Sequence, residues 1–85
     1  MPVNNFKPFA IASGSNVTSQ TEWEGLIALS TGFTAGLARS AQINKALRQG
    51  TVMASVLAQF MAETTGEDVL DDGDTAKLVS LITMS

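Results

Sequence analysis

From Ser19 onward, apolar positions recur at helical spacing. Ser19-Gln20-Thr21-Glu22 spells a capping box: the Ser hydroxyl accepts from the N–H three residues on, and the Glu reaches back. Trp23, Leu26, Ile27 and Ser30 then fall on one helical face, and Gly32 offers a stop. A central helix is expected from about Ala41 to Thr64. Its first part sets Ile43 and Leu47 against Gln42, Lys45, Arg48 and Gln49. Gly50 lies mid-run, where Gly costs about 1 kcal/mol relative to Ala, so a break or kink is expected there, with a close packing contact as the alternative. Beyond it, Val52, Met53, Val56, Leu57, Phe60 and Met61 form a wide apolar stripe flanked by Ala54, Ala58 and Ala62. A helix apolar over most of its circumference needs cover on most sides, and few other elements can supply it.

Gly66 is expected to end this helix, with Glu67-Asp68-Val69-Leu70 as a link. Asp71-Asp72-Gly73-Asp74 opens a last helix over 75–83, with Leu78, Leu81 and Ile82 on one face. Carboxylates fit a helix start, where unpaired N–H groups favour negative charge. The loop from Gly32 to Ser40 carries Phe33, Leu37 and a G-x-x-x-G spelling, which outside an apolar 20-mer reads as loop. Residues 1–18 read as an extended arm, because Pro2 and Pro8 lack a backbone donor and Ser13-Gly14-Ser15-Asn16 is a turn cluster. Phe6, Phe9 and Ile11 require that arm to lie on something, either its own helices or a neighbouring chain. The expected architecture is all-α: a small bundle of three to four helices over 19–85, with an N-terminal docking arm over 1–18.

Composition narrows the function. Eighty-five residues allow one small domain, and the chain has neither Cys nor His, which removes disulfides, thiol nucleophiles, zinc fingers and imidazole bases. The net charge is -3 and the pI about 4.5, against a nucleic-acid binder. Only 15% of residues are charged while 45% are hydrophobic, so the surface is thinly charged. No secretory leader is expected, and the uncharged run from Gln49 to Ala62 is too short to span a bilayer.

No catalytic, metal or cofactor site is expected. Asp68, Asp71, Asp72 and Asp74 fail the register of a calcium loop, since Leu70 and Val79 stand where ligands are needed; helix capping is the expected use. Glu22 and Glu24 are two apart and do not face the same way. Ser40 and Lys45 lack the Ser-x-x-Lys spacing. Arg39, Lys45 and Arg48 are expected on a solvated helix face, or pairing with the acidic end of another chain. Met53, Met61 and Met84 are expected as core filler.

The wording of the chain adds a family likeness. Phe6-Lys7-Pro8-Phe9-Ala10 is followed by Gly14-Ser15-Asn16-Val17 and Ser19-Gln20-Thr21-Glu22-Trp23-Glu24. Then come Ser40-Ala41-Gln42-Ile43-Asn44-Lys45-Ala46-Leu47-Arg48-Gln49, Ala58-Gln59-Phe60-Met61-Ala62 and Asp68-Val69-Leu70-Asp71-Asp72-Gly73-Asp74-Thr75-Ala76. In this order, over nearly the whole chain, the set resembles the N-terminal module of tailed-bacteriophage and prophage tail-fibre proteins. The resemblance implies a virion structural role at the tail-proximal end of a fibre, holding it on the baseplate or tail tip and so supporting host adsorption. It also implies a trimer, synthesised in the host bacterial cytoplasm. Family members continue into a β-rich receptor-binding shaft and tip, whereas this chain ends at Ser85, so the likeness extends to attachment.

The expected partners are therefore further copies of the chain, baseplate or tail-tip proteins and the rest of a fibre, with no nucleic acid and no membrane insertion. Val52, Met53, Val56, Leu57, Phe60 and Met61 are the expected oligomer interface, and Phe6, Phe9 and Ile11 the tail-docking residues. The alternative is a small helical regulatory or DNA-binding protein using the Gln42–Gln49 segment. An accessory or inhibitor subunit of an enzyme is a third class.

Overall fold

The computed structural model describes residues 2–34 and 39–85. Among these the chain is helical and contains no strand: α1 is Gln20–Glu24, α2 Ala28–Thr31, α3 Ser40–Thr65 and α4 Thr75–Met84. The all-α class is as expected. Within the loop expected from Gly32 to Ser40, residues 35–38, with Leu37 and the second Gly of the G-x-x-x-G spelling, lie outside the described residues. The contacts define two compact units, Met1–Pro8 with Gly50–Ser85, and Phe9–Gln49. Residues 1–18 are thus shared between the two.

The first unit holds the apolar core. Ala58, Met61 and Ala62 of α3 cluster with Val69, from the link after α3, and Leu81 of α4, with Phe6 and Leu78 packed against them. Beside this core, residues 3–5 and 68–69 are joined through their backbone. Val69 N–H donates to the Val3 carbonyl at 2.8 Å, and Asn5 N–H donates to the Val69 carbonyl at 2.9 Å. Together they make an isolated parallel bridge. Val3 N–H is taken by the Asp68 carboxylate at 2.7 Å. The Asn4 amide then ties the segment to α3, donating to the Ser55 carbonyl at 3.1 Å and Gln59 Oε1 at 3.2 Å. Its own Oδ1 accepts from Phe6 N–H at 2.9 Å. The expected link at 67–70 is therefore part of the core, with Val69 fully buried.

The ends of α3 and α4 follow from their residues. α3 stops at Gly66, whose φ of 72° is a left-handed conformation that glycine adopts at little cost. α4 starts as expected: the Asp74 carboxylate accepts from Lys77 N–H at 3.0 Å, and Asp72 accepts from Asp74 N–H at 3.0 Å. Asp68, Asp72 and Asp74 thus spend their carboxylates on backbone donors.

Two helical expectations are corrected. The first helix does not run from Ser19 to Gly32. The Ser19 hydroxyl caps it, accepting from Glu22 N–H at 3.2 Å, but it closes at Gly25 and the chain restarts as α2. An interior glycine and no apolar cover leave a short helix little reason to continue. Conversely, Gly50 neither breaks α3 nor fills a close contact: the helix runs through it, and a methyl placed there meets nothing within 4 Å. One glycine costs about 1 kcal/mol, less than interrupting the ladder of a 26-residue helix. Gly50→Ala is accordingly expected to stabilise the chain by up to about 1 kcal/mol, read as a higher midpoint in urea. A lower midpoint would show that the glycine serves a conformation other than this helix.

The second unit is held differently. Thr18 N–H donates to the Ala41 carbonyl at 3.2 Å. Asn44 donates to the Asn16 carbonyl at 3.0 Å and Asn16 to the Ser40 hydroxyl at 2.9 Å. The buried residues here are Thr18 and Lys45; among the described residues of this unit no apolar side chain is buried.

Candidate functional site

In the first unit, α3 presents two apolar faces of opposite fate. Taking about 100° per residue, Ala58, Met61 and Ala62 cluster on one side and Met53, Val56, Leu57 and Phe60 on the other. The side with alanines is buried. The side with the larger residues lies in water, with Met53 68% and Phe60 52% exposed. Exposed apolar residues are common singly; four at helical spacing on one stripe, with greater bulk than the core beneath, are not.

Beside this stripe is an open groove of about 170 Å³. Ala58, Met61 and Val69 form its floor, while Leu57, Leu78 and Ile82 stand around it. Leu57 belongs to both features, at the edge where stripe and groove meet.

The expected interface residues therefore separate. Met53, Val56, Leu57 and Phe60 are exposed together, Val52 is half-buried, and Met61 is buried in its own core. One residue after Phe60, the helix has turned Met61 inward. The methionines separate the same way: Met61 is core as expected, whereas Met53 and Met84 are exposed. The three expected docking residues also divide. Phe6 packs on the core of the first unit, while Phe9 and Ile11 are exposed in the second.

The second unit adds exposed Ile27, from the expected helical face, Phe33, from the expected loop, and Leu29, to which the pattern gives no role. The sequence signal was the isolated Gly25 before them. Lys45 is not on a solvated face. It is 5% exposed and donates to Gln20 Oε1 at 2.8 Å. Gln20 in turn donates to Glu24 at 2.8 Å, so its amide bridges an ammonium and a carboxylate and ties α1 to α3. That use turns one of the three clustered cations inward.

The remaining polar chemistry is structural. Lys77 and Glu67 pair at 2.9 Å with both side chains largely in water, a contact of about 0–1 kcal/mol. Among the described residues, no group of three or more acidic side chains is placed to hold a metal ion. No described helix is long and apolar enough to cross a membrane. No protein-family model, no characterised protein and no solved structure matches this chain.

Proposed function

We propose that this protein is a virion structural component of a bacteriophage tail, a tail-proximal fibre module that assembles as a homotrimer and fastens a fibre to the baseplate or tail tip. The observation that carries the assembly is the outward stripe Met53, Val56, Leu57 and Phe60. Burying a side chain of this size stabilises by about 1.5–3 kcal/mol when complete. Val56, Leu57 and Phe60 are about half covered and Met53 less, being 68% exposed, so roughly half or more of that remains to be gained per residue, repeated in every copy. The ordered likeness to tail-fibre N-terminal modules supplies the setting.

Attachment to the tail falls to the second unit. Its exposed Phe9 and Ile11, with Ile27, Leu29 and Phe33, sit on a frame without an apolar core of its own. Such a frame gains most from a partner that supplies apolar cover. Phe6, engaged in the first unit, takes no part in docking.

Sedimentation equilibrium of the purified chain is expected to return three times the monomer mass. The first unit's six carboxylates, against Lys7 and Lys77, make the copies repel, so added salt should tighten the assembly. A monomer at tens of micromolar, or a salt-sensitive complex with DNA, would sink the proposal. Antibody labelling of purified particles tests the location: label confined to tails is expected, and label absent from particles rejects it.

A further inference from the structure

We propose that the copies meet head to tail, with Phe60 of one copy entering the groove between α3 and α4 of the next and Met53 lying beside it. The inference rests on the homotrimer proposed above and names its contact.

Knob and hole exist on the same unit and on different faces of one helix. Met53 and Phe60 are seven residues apart and lie on one line along α3. Ala54 and Met61, which line the groove, are also seven apart and lie on a second line, about 100° round the helix from the first. A copy therefore cannot place its own Phe60 in its own groove. A two-fold pair could seat both Phe60 rings at once, but the trimer proposed above has no two-fold axis, so each of its contacts joins two different faces. A contact between two different faces propagates from copy to copy until a ring closes.

Size and area agree with a second copy as occupant. A cavity of about 150 Å³ lined by aliphatic side chains takes up a benzene ring, and this groove offers about 170 Å³ with an apolar lining. Nine large apolar residues of the first unit are exposed. A half-exposed side chain of this size leaves on the order of 100 Å² in water, so the nine leave on the order of 900 Å². Specific interfaces bury about 800 Å² per partner. A ring member presents two such patches, about 1,600 Å² together, and on the order of 900 Å² is close to the non-polar share of about 56–58% that such interfaces have.

The rival geometry packs the four stripe residues of all copies together on the axis, like against like. Disulfide trapping separates the two, because the chain has no cysteine of its own. In the double variant Phe60→Cys with Ala54→Cys, mild oxidation is expected to give covalent species ending at three chains on a non-reducing gel. Residues 54 and 60 of one chain cannot bond to each other, since they are about 9 Å apart along the helix axis and a disulfide needs Cα atoms within about 7 Å. Phe60→Cys alone is expected to stay uncrosslinked. Crosslinked pairs from that single variant would mean axial packing and would overturn the head-to-tail contact while leaving the trimer intact. A wild-type monomer by sedimentation would remove both. Ala54→Phe supplies a second test at an exposed position: filling the groove from within should dissociate the assembly with unchanged helical circular dichroism, and a persisting trimer rejects the groove as the acceptor.

Discussion

Leu81→Ala is expected to lower the free energy of unfolding by about 2–5 kcal/mol, as truncation of buried leucines does. Leu81 is fully buried and joins α4 to Ala58, Met61 and Ala62 of α3 and to Val69. Five residues make up that core, so little surrounding material can move in to fill the void. A chain of this length has in total about 4–13 kcal/mol of stability, taking 0.05–0.15 kcal/mol per residue. The substitution therefore removes a large share and should leave a broad transition at low denaturant. Urea unfolding followed by circular dichroism measures it. The informative comparison is Phe60→Ala, which removes a larger side chain from an exposed site. In the dissociated chain it should cost under about 1 kcal/mol. Equal losses from the two variants would mean that the buried and exposed faces of α3 have been assigned the wrong way round.

Removing residues 2–8 is expected to be about as damaging, on the order of 3 kcal/mol or more. It deletes the Val3 and Asn5 bonds to Val69, the Asn4 contacts with α3 and the Phe6 ring. Each lost hydrogen bond costs about 0.5–1.5 kcal/mol, and more where a buried partner is left unpaired. The Val69 N–H and carbonyl would be left in that position, in the middle of the core. Thermal melting of the shortened chain should show a large drop in midpoint. By contrast, Phe9→Ser with Ile11→Ser, both at exposed positions, should leave the melt within about 0.5 kcal/mol of the parent. An unchanged melt after the deletion would make residues 2–8 a free docking segment. A large loss from the Phe9 and Ile11 pair would make those residues structural as well.

The N-terminal residues show why patterns along the chain run out at this point. Phe6, Phe9 and Ile11 look alike in the sequence, three apolar groups among prolines and turn residues. What separates them is that Asn4 has an amide of the right reach for the Ser55 carbonyl and Gln59, fifty-one and fifty-five residues away. No periodicity encodes a contact of that separation. Val69 is a similar case. It reads as part of an acidic link and becomes the centre of the core because the N-terminal segment pairs with its backbone.

α3 offers the opposite lesson. That residues 41–64 form a helix was legible from spacing, and so was the excess of apolar surface on it. Which face would be buried was not. Both faces are apolar, and periodicity carries no sign that prefers alanine to phenylalanine inside. What packs on each face decides it: Val69 and Leu81 cluster with Ala58 and Ala62, whereas Phe60 is left half-exposed.

Local side-chain chemistry sets the helical class, the caps at Ser19 and Asp74 and the stop at Gly66, and a chain without Cys or His has no thiol or imidazole chemistry. These are local matters, decided by side chains within a few residues of the backbone they serve. Only packing between distant segments decided that Val69 lies in the core, that Lys45 turns inward, and that the bulkier stripe of α3 is left in water. Those outcomes depend on what packs against each position, and burial is a property of neighbours brought together from distant parts of the chain.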